Sequence, residues 1–497
     1  MKLIPLMVAI PLGTAFFIPM VSRKNQRVPD LLGNLCTFAL FLLSLCLIRF
    51  VPQVYFMGGW KPPFGITLVL DGLSSFMLIL VNLVTFLITL YSISYMELYT
   101  SKLRYYSLLL LMLAGMNGVI LTGDIFNLFV FLEIAVISAY ALTGFGTEAE
   151  ELEASFKYLV LGSVSSVFIL LGIAFIYSLT GSLNLADISQ KLAGGRLFQS
   201  PALWFAIILF LYGFGMKSAI MPFHPWLPDA HPSAPAPISA MLSGLLIKAA
   251  GVYPLLRIFY NMFGMGNLSQ KFIPQILMVL GGISMAGGAL LALIQTDIKR
   301  MFAYSSISHM GYIFLALSLG TPLGILGALF HIFSHAVSKS LLFLTSGSLE
   351  YVLHTRDIRK MGGIEERMPI TAFSGNIGFL SLAGIPPLAG FWSKLFIILA
   401  LVKAGRGGWA IFACGVSVLT LGYYLRMNRY VFFGKIKSAF RRVKEAPGTM
   451  LGAMLLLSLV VIFLGSLLIP PIKKVLLSPA VHILYSGQEY VKLVLGG

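Results

Sequence analysis

Long apolar stretches separated by short polar loops follow one another along almost the whole chain. A stretch of roughly 17–25 apolar residues matches the thickness of a lipid bilayer when it forms a helix. The pattern predicts an all-α, polytopic membrane protein with about 14 transmembrane helices in one membrane domain. The predicted spans lie near residues 2–20, 31–50, 71–91, 104–121, 125–144, 155–178, 203–228, 236–258, 273–295, 300–319, 322–348, 370–403, 408–430 and 449–470.

Two of the predicted spans contain helix-breaking residues, and we interpret them as broken helices. The first contains Pro222, Pro225 and Pro228, and the second contains Pro386 and Pro387. Proline removes a backbone donor, and non-helical backbone is tolerated at membrane depth only where it is buried in protein or lines a cavity. Broken spans at corresponding places in two halves of a chain are a typical sign of a transport pathway.

The two broken spans lie five helices apart, and this odd offset gives the two halves of the chain opposite orientations in the membrane. The offset predicts two inverted five-helix repeats, formed by helices four to eight and nine to thirteen. The predicted organisation is three N-terminal helices in 1–102, a first repeat in 103–260, a second repeat in 270–435, and a basic loop, last helix and tail in 436–497.

Charged residues make up only 11% of the 497 residues, and hydrophobic residues make up 58%. The net charge of +17 arises from basic residues in short loops, where topology signals belong, so nucleic acid is not expected as a partner. With the N-terminus outside, most basic loops fall on the cytoplasmic side of a prokaryotic cell membrane, as the positive-inside rule requires. The basic residues predicted inside are Arg23, Lys24, Arg27, Lys102, Arg104, Lys299, Arg300, Arg356, Arg359, Lys360, Arg367 and the run from Arg426 through Lys435 and Arg441 to Lys444.

Five ionisable side chains lie within apolar spans, where a charge costs roughly 2.5–3.5 kcal/mol on insertion scales. They are Glu133, Lys217, Lys248, Lys339 and Lys394. Such residues persist mainly where they face a protein interior or a wet cavity, so the default interpretation is an ion or proton pathway. One alternative is that a Ser or Tyr hydroxyl satisfies the Glu133 carboxylate, which then only stabilises helix packing. The others are that Lys217 belongs to a permanent structural ion pair with Glu133, or that Lys248 extends its amine to the membrane surface.

His331, His335 and Lys339 are spaced four residues apart and therefore share one face of a predicted helix. Histidine titrates near neutral pH, which suits a proton relay. Metal ligation by the two histidines is one alternative, although no HExxH motif or matching third ligand accompanies them. The other is that either histidine is a hydrogen-bonded residue of the core. The three cysteines lack CxxC spacing, so we predict no metal site and no cofactor, and we expect no catalytic bond chemistry from this chain alone.

Several polar residues lie at the ends of the predicted spans. Asp71 and Asp124 each open a span, and the simplest interpretation is that they are helix N-caps. His224, Asp229 and His231 flank the first broken helix. Their position predicts a proton entrance, although histidine and aspartate are also ordinary residues near a loop.

Five segments within residues 103–435 carry a family resemblance: FNLFVFLEIAVISAYAL, GMKSAIMPFHPWLPDAHPSAPAPISAMLSGLLIKAAGVY, KRMFAYSSISHMGYIFLALSLG, HIFSHAVSKSLLFLTSGSL and GIPPLAGFWSKLFI. Together they resemble the antiporter-like subunits shared by Mrp-type sodium/proton antiporters, membrane-bound hydrogenase and sulfur-reducing complexes, and respiratory complex I. Lysine rather than glutamate at Lys394 is closer to the Mrp D-type subunit than to one of the complex I subunits. The short tail after residue 470 differs from the largest complex I paralogue.

The resemblance implies 14 helices, two inverted five-helix repeats, and breaks in the seventh and twelfth helices. It also implies roles for individual residues. Glu133 and Lys217 would form a switchable pair, and Lys248 would be the central relay. A connecting polar axis would then lead to Lys394 at the far terminal site. The residues of that axis would be His331, His335 and Lys339.

We therefore expect an ion-translocating subunit that carries protons, sodium ions or both. It would belong to a multisubunit redox-driven complex or to an Mrp-type cation/proton antiporter, with other membrane subunits and the lipid bilayer as its partners. A stand-alone secondary transporter that binds a small solute at the broken helices is the first alternative. A membrane scaffold whose charges only stabilise helix packing is the second.

Overall fold

A computed structural model describes residues 3–22, 27–264 and 272–496, which are mainly helical. The helices in chain order are α1 Leu6–Val21, α2 Arg27–Leu47, α3 Gly72–Tyr95, α4 Lys102–Leu121, α5 Ile125–Thr143, α6 Ala149–Thr180, α7 Leu185–Leu192, α8 Pro201–Lys217, α9 Trp226–Ser233, α10 Ala236–Met262, α11 Ile273–Ile294, α12 Ile298–Leu317, α13 Pro322–Leu353, α14 Pro369–Ala383, α15 Ala389–Lys403, α16 Gly407–Val431, α17 Gly448–Phe463, α18 Pro470–Tyr485 and α19 Gly487–Leu495. Arg23, Lys24 and position 270, the predicted start of the second repeat, lie outside the described residues.

The predicted spans coincide with helices or with pairs of helices, and the all-α polytopic class is confirmed. Ten helices in the described ranges are long and apolar enough to cross a membrane, and α1 and α8 are shorter apolar helices. The remaining predicted spans correspond to α12, which carries several polar residues, and to the short pair α14 and α15. The number 14 therefore stays a prediction.

Both predicted helix breaks are present. α8 ends at Lys217, with residues 218–225 non-helical before α9, and α14 ends at Ala383 before a short non-helical link to α15. Gly384 adopts a φ of 86°, a left-handed conformation that glycine adopts without steric cost. A Cβ at that position would lie 3.1 Å from the Cδ of Lys394. The second break thus packs Lys394 against the C-terminal end of α14.

The helices α10 and α13 form the centre of the bundle, and the apolar window of each is wholly buried. α13 packs against α3, α10, α12, α14, α15 and α17. α10 has π-helical hydrogen bonding over Leu242–Val252 and Arg257–Met262, a geometry that is frequent at functional sites. Charged side chains on these two helices therefore face protein rather than lipid.

One type of loop junction occurs twice in the chain. Asp124 caps α5 by accepting a backbone N–H at 2.7 Å, and it forms an antiparallel bridge with Asn184, which follows α6. Asp297 caps α12 through a 2.9 Å hydrogen bond and forms the same bridge with Asp357, which follows α13. α6 and α13 are both 32 residues long. The two junctions are similarly placed in the two halves of the chain, although the repeat boundaries remain a prediction.

The positions of the basic residues predict which loops lie on the same side of the membrane. Loops that are predicted to share a side contact one another in the structure. On the outer side, the Gly123 N–H donates to the Thr67 carbonyl at 2.8 Å. On the predicted inner side, Arg356 donates to the Pro232 carbonyl at 2.5 Å. These contacts agree with the alternating sidedness derived from the basic loops.

Several shorter elements are absent from the sequence prediction. An antiparallel hairpin, β1 Gln53–Phe56 and β2 Thr67–Leu70, lies between α2 and α3. The helix α7 follows α6, and the tail forms α18 and α19, with α18 packed against α3 and α13. These segments are too short to be detected as membrane spans, so the hydropathy pattern gave no signal for them.

Candidate functional site

Glu133 on α5 and Lys217 at the end of α8 form a loose ion pair. The Lys217 Nζ lies 4.0 Å from a Glu133 carboxylate oxygen. Ser166 on α6 lies between them, since its hydroxyl donates to Glu133 and accepts from Lys217 at 3.0 Å. Lys217 also donates to the Gly162 carbonyl at 3.0 Å and to the Tyr140 hydroxyl at 3.2 Å. The family resemblance implies that the two charges form a pair, and the structure adds a bridging hydroxyl.

The two members of this pair differ in exposure. The Lys217 side chain is 3% exposed, whereas the Glu133 side chain is 25% exposed. Val130 and Ile137, one turn away on α5, are also exposed at the surface of the bundle. Glu133 therefore connects the buried Lys217 to a surface that is otherwise apolar.

Lys248 is buried in the π-helical part of α10 and has no contact with lipid-facing surface. Its Nζ donates to the Ser243 carbonyl within the same helix. The Ser243 hydroxyl in turn shares a 2.7 Å hydrogen bond with Ser306 of α12. The structure thus contradicts the alternative that Lys248 extends its amine to the membrane surface.

Lys339 on α13 is fully buried. Its Nζ donates to the Phe302 carbonyl of α12 at 2.8 Å. The same Nζ lies 5.5 Å from the ring centre of Phe302 and 5.9 Å from that of Tyr424 on α16. Two aromatic faces and one carbonyl oxygen therefore stabilise the amine. Among the described residues, no carboxylate forms an ion pair with it.

Three histidines form a cluster between α12 and α13. The Nδ1 of His309 lies 3.1 Å from the Nε2 of His331, and the His309 ring lies 5.0 Å from the His335 ring. His331 and His335 are predicted from the sequence, whereas His309, on the neighbouring helix, is missed. The four-residue spacing could not identify His309, but its position as an ionisable residue within an apolar span could have done so. His309 connects the two predicted histidines across helices.

Lys394 on α15 lies beyond the histidine cluster and is connected to it. The other ring nitrogen of His331 is 2.8 Å from the Ser393 hydroxyl, next to Lys394 in the chain. The Lys394 Nζ donates to Ser417 of α16 at 2.9 Å and to the Ala383 carbonyl at 3.2 Å. In the part of the chain that the structure describes, Lys394 forms no ion pair with a carboxylate. This end of the site differs in that respect from the Glu133 end.

A second buried ion pair, which the sequence did not predict, lies near the outer side. Arg257 of α10 donates to both carboxylate oxygens of Asp71, each at 2.7 Å. Asp71 also caps α3, as expected, by accepting the Ser74 N–H at 2.8 Å. The Arg257 guanidinium lies 5.1 Å from the Tyr490 ring centre, and Tyr490 belongs to the tail helix α19. The pair joins three separate parts of the chain.

A polar cavity of about 670 Å³ opens on the inner side between the two halves of the chain. Lys299 is predicted in an inner loop, but the structure places it in the first turn of α12, with only 2% of its side chain exposed. It pairs with Glu350 of α13 at 2.6 Å. Residues that line the cavity include Tyr95, Tyr99, Glu151, Lys299, Glu350 and Arg356.

The residues flanking the first break occupy different environments. Asp229 lies at the inner surface, where it pairs with Lys157 at 3.4 Å and with Arg300 at 3.2 Å. His231 is completely buried, with its ring 4.5 Å from that of Phe343. The predicted entrance residues therefore extend from the surface into the interior.

Two family models match the chain. The model described as NADH:quinone oxidoreductase/Mrp antiporter, TM, matches residues 122–420. The model described as NADH-ubiquinone oxidoreductase (complex I), chain 5 N-terminus, matches residues 60–106. The matched regions contain every predicted site residue. The chain belongs to the NADH:quinone oxidoreductase/Mrp antiporter family of membrane subunits, and the resemblance read from the sequence is confirmed.

Individual relatives agree with this assignment. The D-type subunit of the Na(+)/H(+) antiporter of Alkalihalophilus pseudofirmus is 34% identical over 468 residues, which cover 93% of this chain and 94% of that protein. The N-type subunit of the NADH-quinone oxidoreductase of Desulforudis audaxviator is 35% identical, covering 93% and 95%. A chain in the structure of the membrane-bound sulfane sulfur reductase, an archaeal respiratory membrane complex, is 34% identical with a TM-score of 0.90, covering 99% and 100%.

Proposed function

We propose that this chain is an ion-translocating subunit of a multisubunit membrane complex in the cell membrane, and that it moves protons, sodium ions or both. The complex is either redox-driven or an Mrp-type cation/proton antiporter, and the partners are other membrane subunits. The observation that carries the proposal is a file of ionisable side chains across the bundle, all of them buried except Glu133, which is partly exposed. We propose that the file runs through Glu133, Lys217, Lys248, Lys339, His335, His309, His331 and Lys394, in that order.

The Glu133 end of the file is suited to receive a signal from a neighbouring subunit. Glu133 is partly exposed on an apolar face, and a carboxylate at membrane depth requires a polar partner. A charge change in the adjacent subunit would strengthen or weaken the attraction of Glu133 for Lys217. Ser166 hydrogen-bonds to both groups, so the contact can loosen without leaving either group unpaired.

The middle of the file works by electrostatic repulsion between protonated groups. A proton that reaches Lys248 disfavours a second positive charge on Lys339, because the low-dielectric interior strengthens their interaction. The histidines His309 and His331 then offer ring nitrogens within hydrogen-bonding distance of each other. Internal waters would complete the connections between groups that do not touch.

The far end of the file lies at the second helix break. Ser393 contacts His331, and the neighbouring Lys394 contacts Ser417 and the carbonyl of Ala383 at the end of α14. Broken helices provide such backbone oxygens at membrane depth, and these oxygens can stabilise a cation. We assign Lys394 as the terminal site of the file.

The inner cavity supports access from the cytoplasm, since Lys299 and Glu350 line it and are themselves ion-paired. Beyond it, His231 is buried near Phe343. The two equivalent loop junctions support an inverted repeat of residues 103–260 and 270–435. Each half of such a repeat would contribute one broken helix to the pathway.

The alternative of a stand-alone solute transporter has less support. In that alternative, the helix ends at the two breaks would bind the substrate. Instead, the lysines of this chain occupy them, with Lys217 at the end of α8 and Lys394 bonded to the end of α14. The arrangement favours movement of small cations over binding of a larger solute.

The test replaces Lys248 with alanine and measures proton or sodium transport by the intact complex reconstituted in vesicles. We expect transport to fall more than about tenfold with normal assembly, because the file loses its central proton carrier. The matched control is Lys474→Ala, which removes an exposed lysine of the outer tail and should leave transport unchanged. Unchanged transport by an assembled Lys248→Ala complex would contradict the proposal.

A further inference from the structure

The inner face of the chain contains two regions with different charge balance. In the central region, acidic and basic side chains pair with each other, for example Arg300 with Asp229 at 3.2 Å and Arg356 with Asp297 at 3.3 Å. The connection between α16 and α17, residues 432–447, contains five basic residues and one acidic residue. We call these five residues the inner basic patch. They are Lys435, Lys437, Arg441, Arg442 and Lys444.

The positive charge of the inner basic patch is not neutralised by the described part of the protein. None of its five residues forms an ion pair with a carboxylate within the described ranges of the chain. The one acidic residue of the connection, Glu445, instead binds the start of α14, accepting from the Ile370 N–H at 2.6 Å and from the Thr371 hydroxyl at 2.8 Å. The five basic side chains are exposed or half-exposed at the surface.

The connection that carries the patch is held in place by hydrogen bonds to a neighbouring loop. The Phe433 carbonyl accepts from the Gly363 N–H at 3.0 Å, and Lys437 donates to the Arg359 carbonyl at 2.5 Å. A topology signal acts through charge during membrane insertion and does not need such a fixed arrangement. The contacts therefore point to a role for the patch in the folded protein.

The patch also lies at the level of the membrane surface. It begins four residues after Val431, the last residue of the membrane-spanning helix α16. Tyr430, in the last turn of that helix, and Phe433, just after it, have 44% and 49% of their surface exposed. Aromatic rings at the end of a span typically lie at the headgroup level of a bilayer. Clusters of four to eight basic residues directly next to a span on the cytoplasmic side suit anionic lipids.

We propose that the inner basic patch binds the phosphodiester headgroups of anionic phospholipids in the cytoplasmic leaflet. The headgroups supply the negative charge that the central region of the inner face obtains from its own carboxylates. Binding would anchor the second half of the chain to lipid at the end of α16 and the start of α17, next to the start of α14. The proposal concerns a surface outside the buried file and does not depend on which ion the chain moves.

The experiment uses the purified intact complex, exchanged into mixed micelles of phosphatidylglycerol and phosphatidylcholine, with mass spectrometry to count retained lipids. The variant replaces all five patch residues with glutamine. The matched control makes the same number of lysine or arginine to glutamine changes on the outer face, at Lys403, Arg406, Lys473, Lys474 and Lys492. We expect the ratio of retained phosphatidylglycerol to phosphatidylcholine to fall about fivefold in the patch variant, and less than about twofold in the control.

A second measurement keeps the natural sequence, so it does not depend on assembly of the variant. Salt screens charge–charge attraction, and the same lipid ratio should fall when sodium chloride is raised from about 0.05 M to about 0.5 M. Equal lipid ratios in the patch variant and the control would overturn the proposal, as would a ratio that does not respond to salt. If the patch variant kept its lipid ratio but lost an acidic soluble protein from the complex, the proposal would also be overturned, because the patch would then bind a protein partner.

Discussion

Two ion pairs within the bundle, Asp71–Arg257 and Glu133–Lys217, differ in how firmly they are held. Arg257 binds both oxygens of Asp71 at 2.7 Å, and each side chain is 1% exposed. Lys217 lies 4.0 Å from Glu133, which is 25% exposed. A bidentate pair in a dry interior has one favourable arrangement, whereas a longer pair bridged by a hydroxyl has several. The geometry of a pair, more than its depth in the membrane, distinguishes a structural contact from an exchangeable one.

The surroundings of the two pairs lead to the same conclusion. Tyr253 and Asn261 both contact Arg257, so fixed groups of the same helix hold its guanidinium in place. In the Glu133 pair, the Ser166 hydroxyl bridges the two charged groups, and Glu133 reaches the surface of the bundle. We therefore interpret the Asp71 pair as a structural connection between helices and the Glu133 pair as the exchangeable one.

The largest effect is expected from Arg257→Leu, which leaves the Asp71 carboxylate buried without its cation. Removing one member of a buried pair typically costs about 3–5 kcal/mol. The free energy of unfolding, measured by denaturant titration of the purified protein in detergent, should fall by about this amount. The double variant with Asp71→Asn should recover part of the loss, because no uncompensated charge remains. A loss below about 1 kcal/mol would contradict the structural role.

A different response is expected from Glu133→Gln. Transport by the intact complex should fall more than about tenfold, because the charge that controls Lys217 is removed. The free energy of unfolding should change by only about 1 kcal/mol, since the pair is loose and partly exposed. The control is Glu153→Gln, an exposed glutamate of α6 that pairs with Lys157 and lies outside the file. If Glu133→Gln instead caused a large loss of stability and left transport normal, the Glu133 pair would be the structural one and our comparison of the two pairs would be wrong.

The smallest effect is expected from Ser166→Ala, which removes the hydroxyl between Glu133 and Lys217. The hydrogen bonds to Glu133 and from Lys217 are each worth about 1 kcal/mol, and transport should fall only about threefold because water can replace the hydroxyl. The measurement is the initial rate of transport in vesicles. Ser138→Ala is the control, because that hydroxyl donates to the Ile134 carbonyl of its own helix. Identical rates for the two variants would show that Ser166 has no bridging role.

The charges of the site can be found from the sequence because each is conspicuous in an apolar span. Glu133, Lys248 and Lys339 require only the hydropathy pattern and the cost of burying a charge. The two helix breaks are equally evident, because proline and glycine interrupt helices through local backbone geometry. These predictions depend on short segments of sequence. In the structure, the residues lie on the helices where the sequence predicts them.

Other residues are misjudged from the sequence for reasons that the structure makes clear. Arg257 lies at the end of the predicted span 236–258, where a basic residue is normally interfacial, but α10 continues to Met262 and buries it. Lys299 lies in a predicted inner loop, but neighbouring helices cover it. In both cases the exposure depends on helices that are distant in sequence. Hydropathy along one segment contains no information about such neighbours.

The sequence by itself determined the helical membrane class, the approximate spans, which loops share a side and the positions of the two breaks. These properties follow from bilayer thickness, from the cost of unpaired backbone groups and from the charge of nearby loops, all of which act on contiguous segments. Only the tertiary structure decided that Asp71 meets Arg257, that Ser166 separates Glu133 from Lys217, and that His309 joins the other histidines. Those contacts join residues that are far apart in the chain and only a few ångströms apart in space. Only the packing of the helices sets these distances.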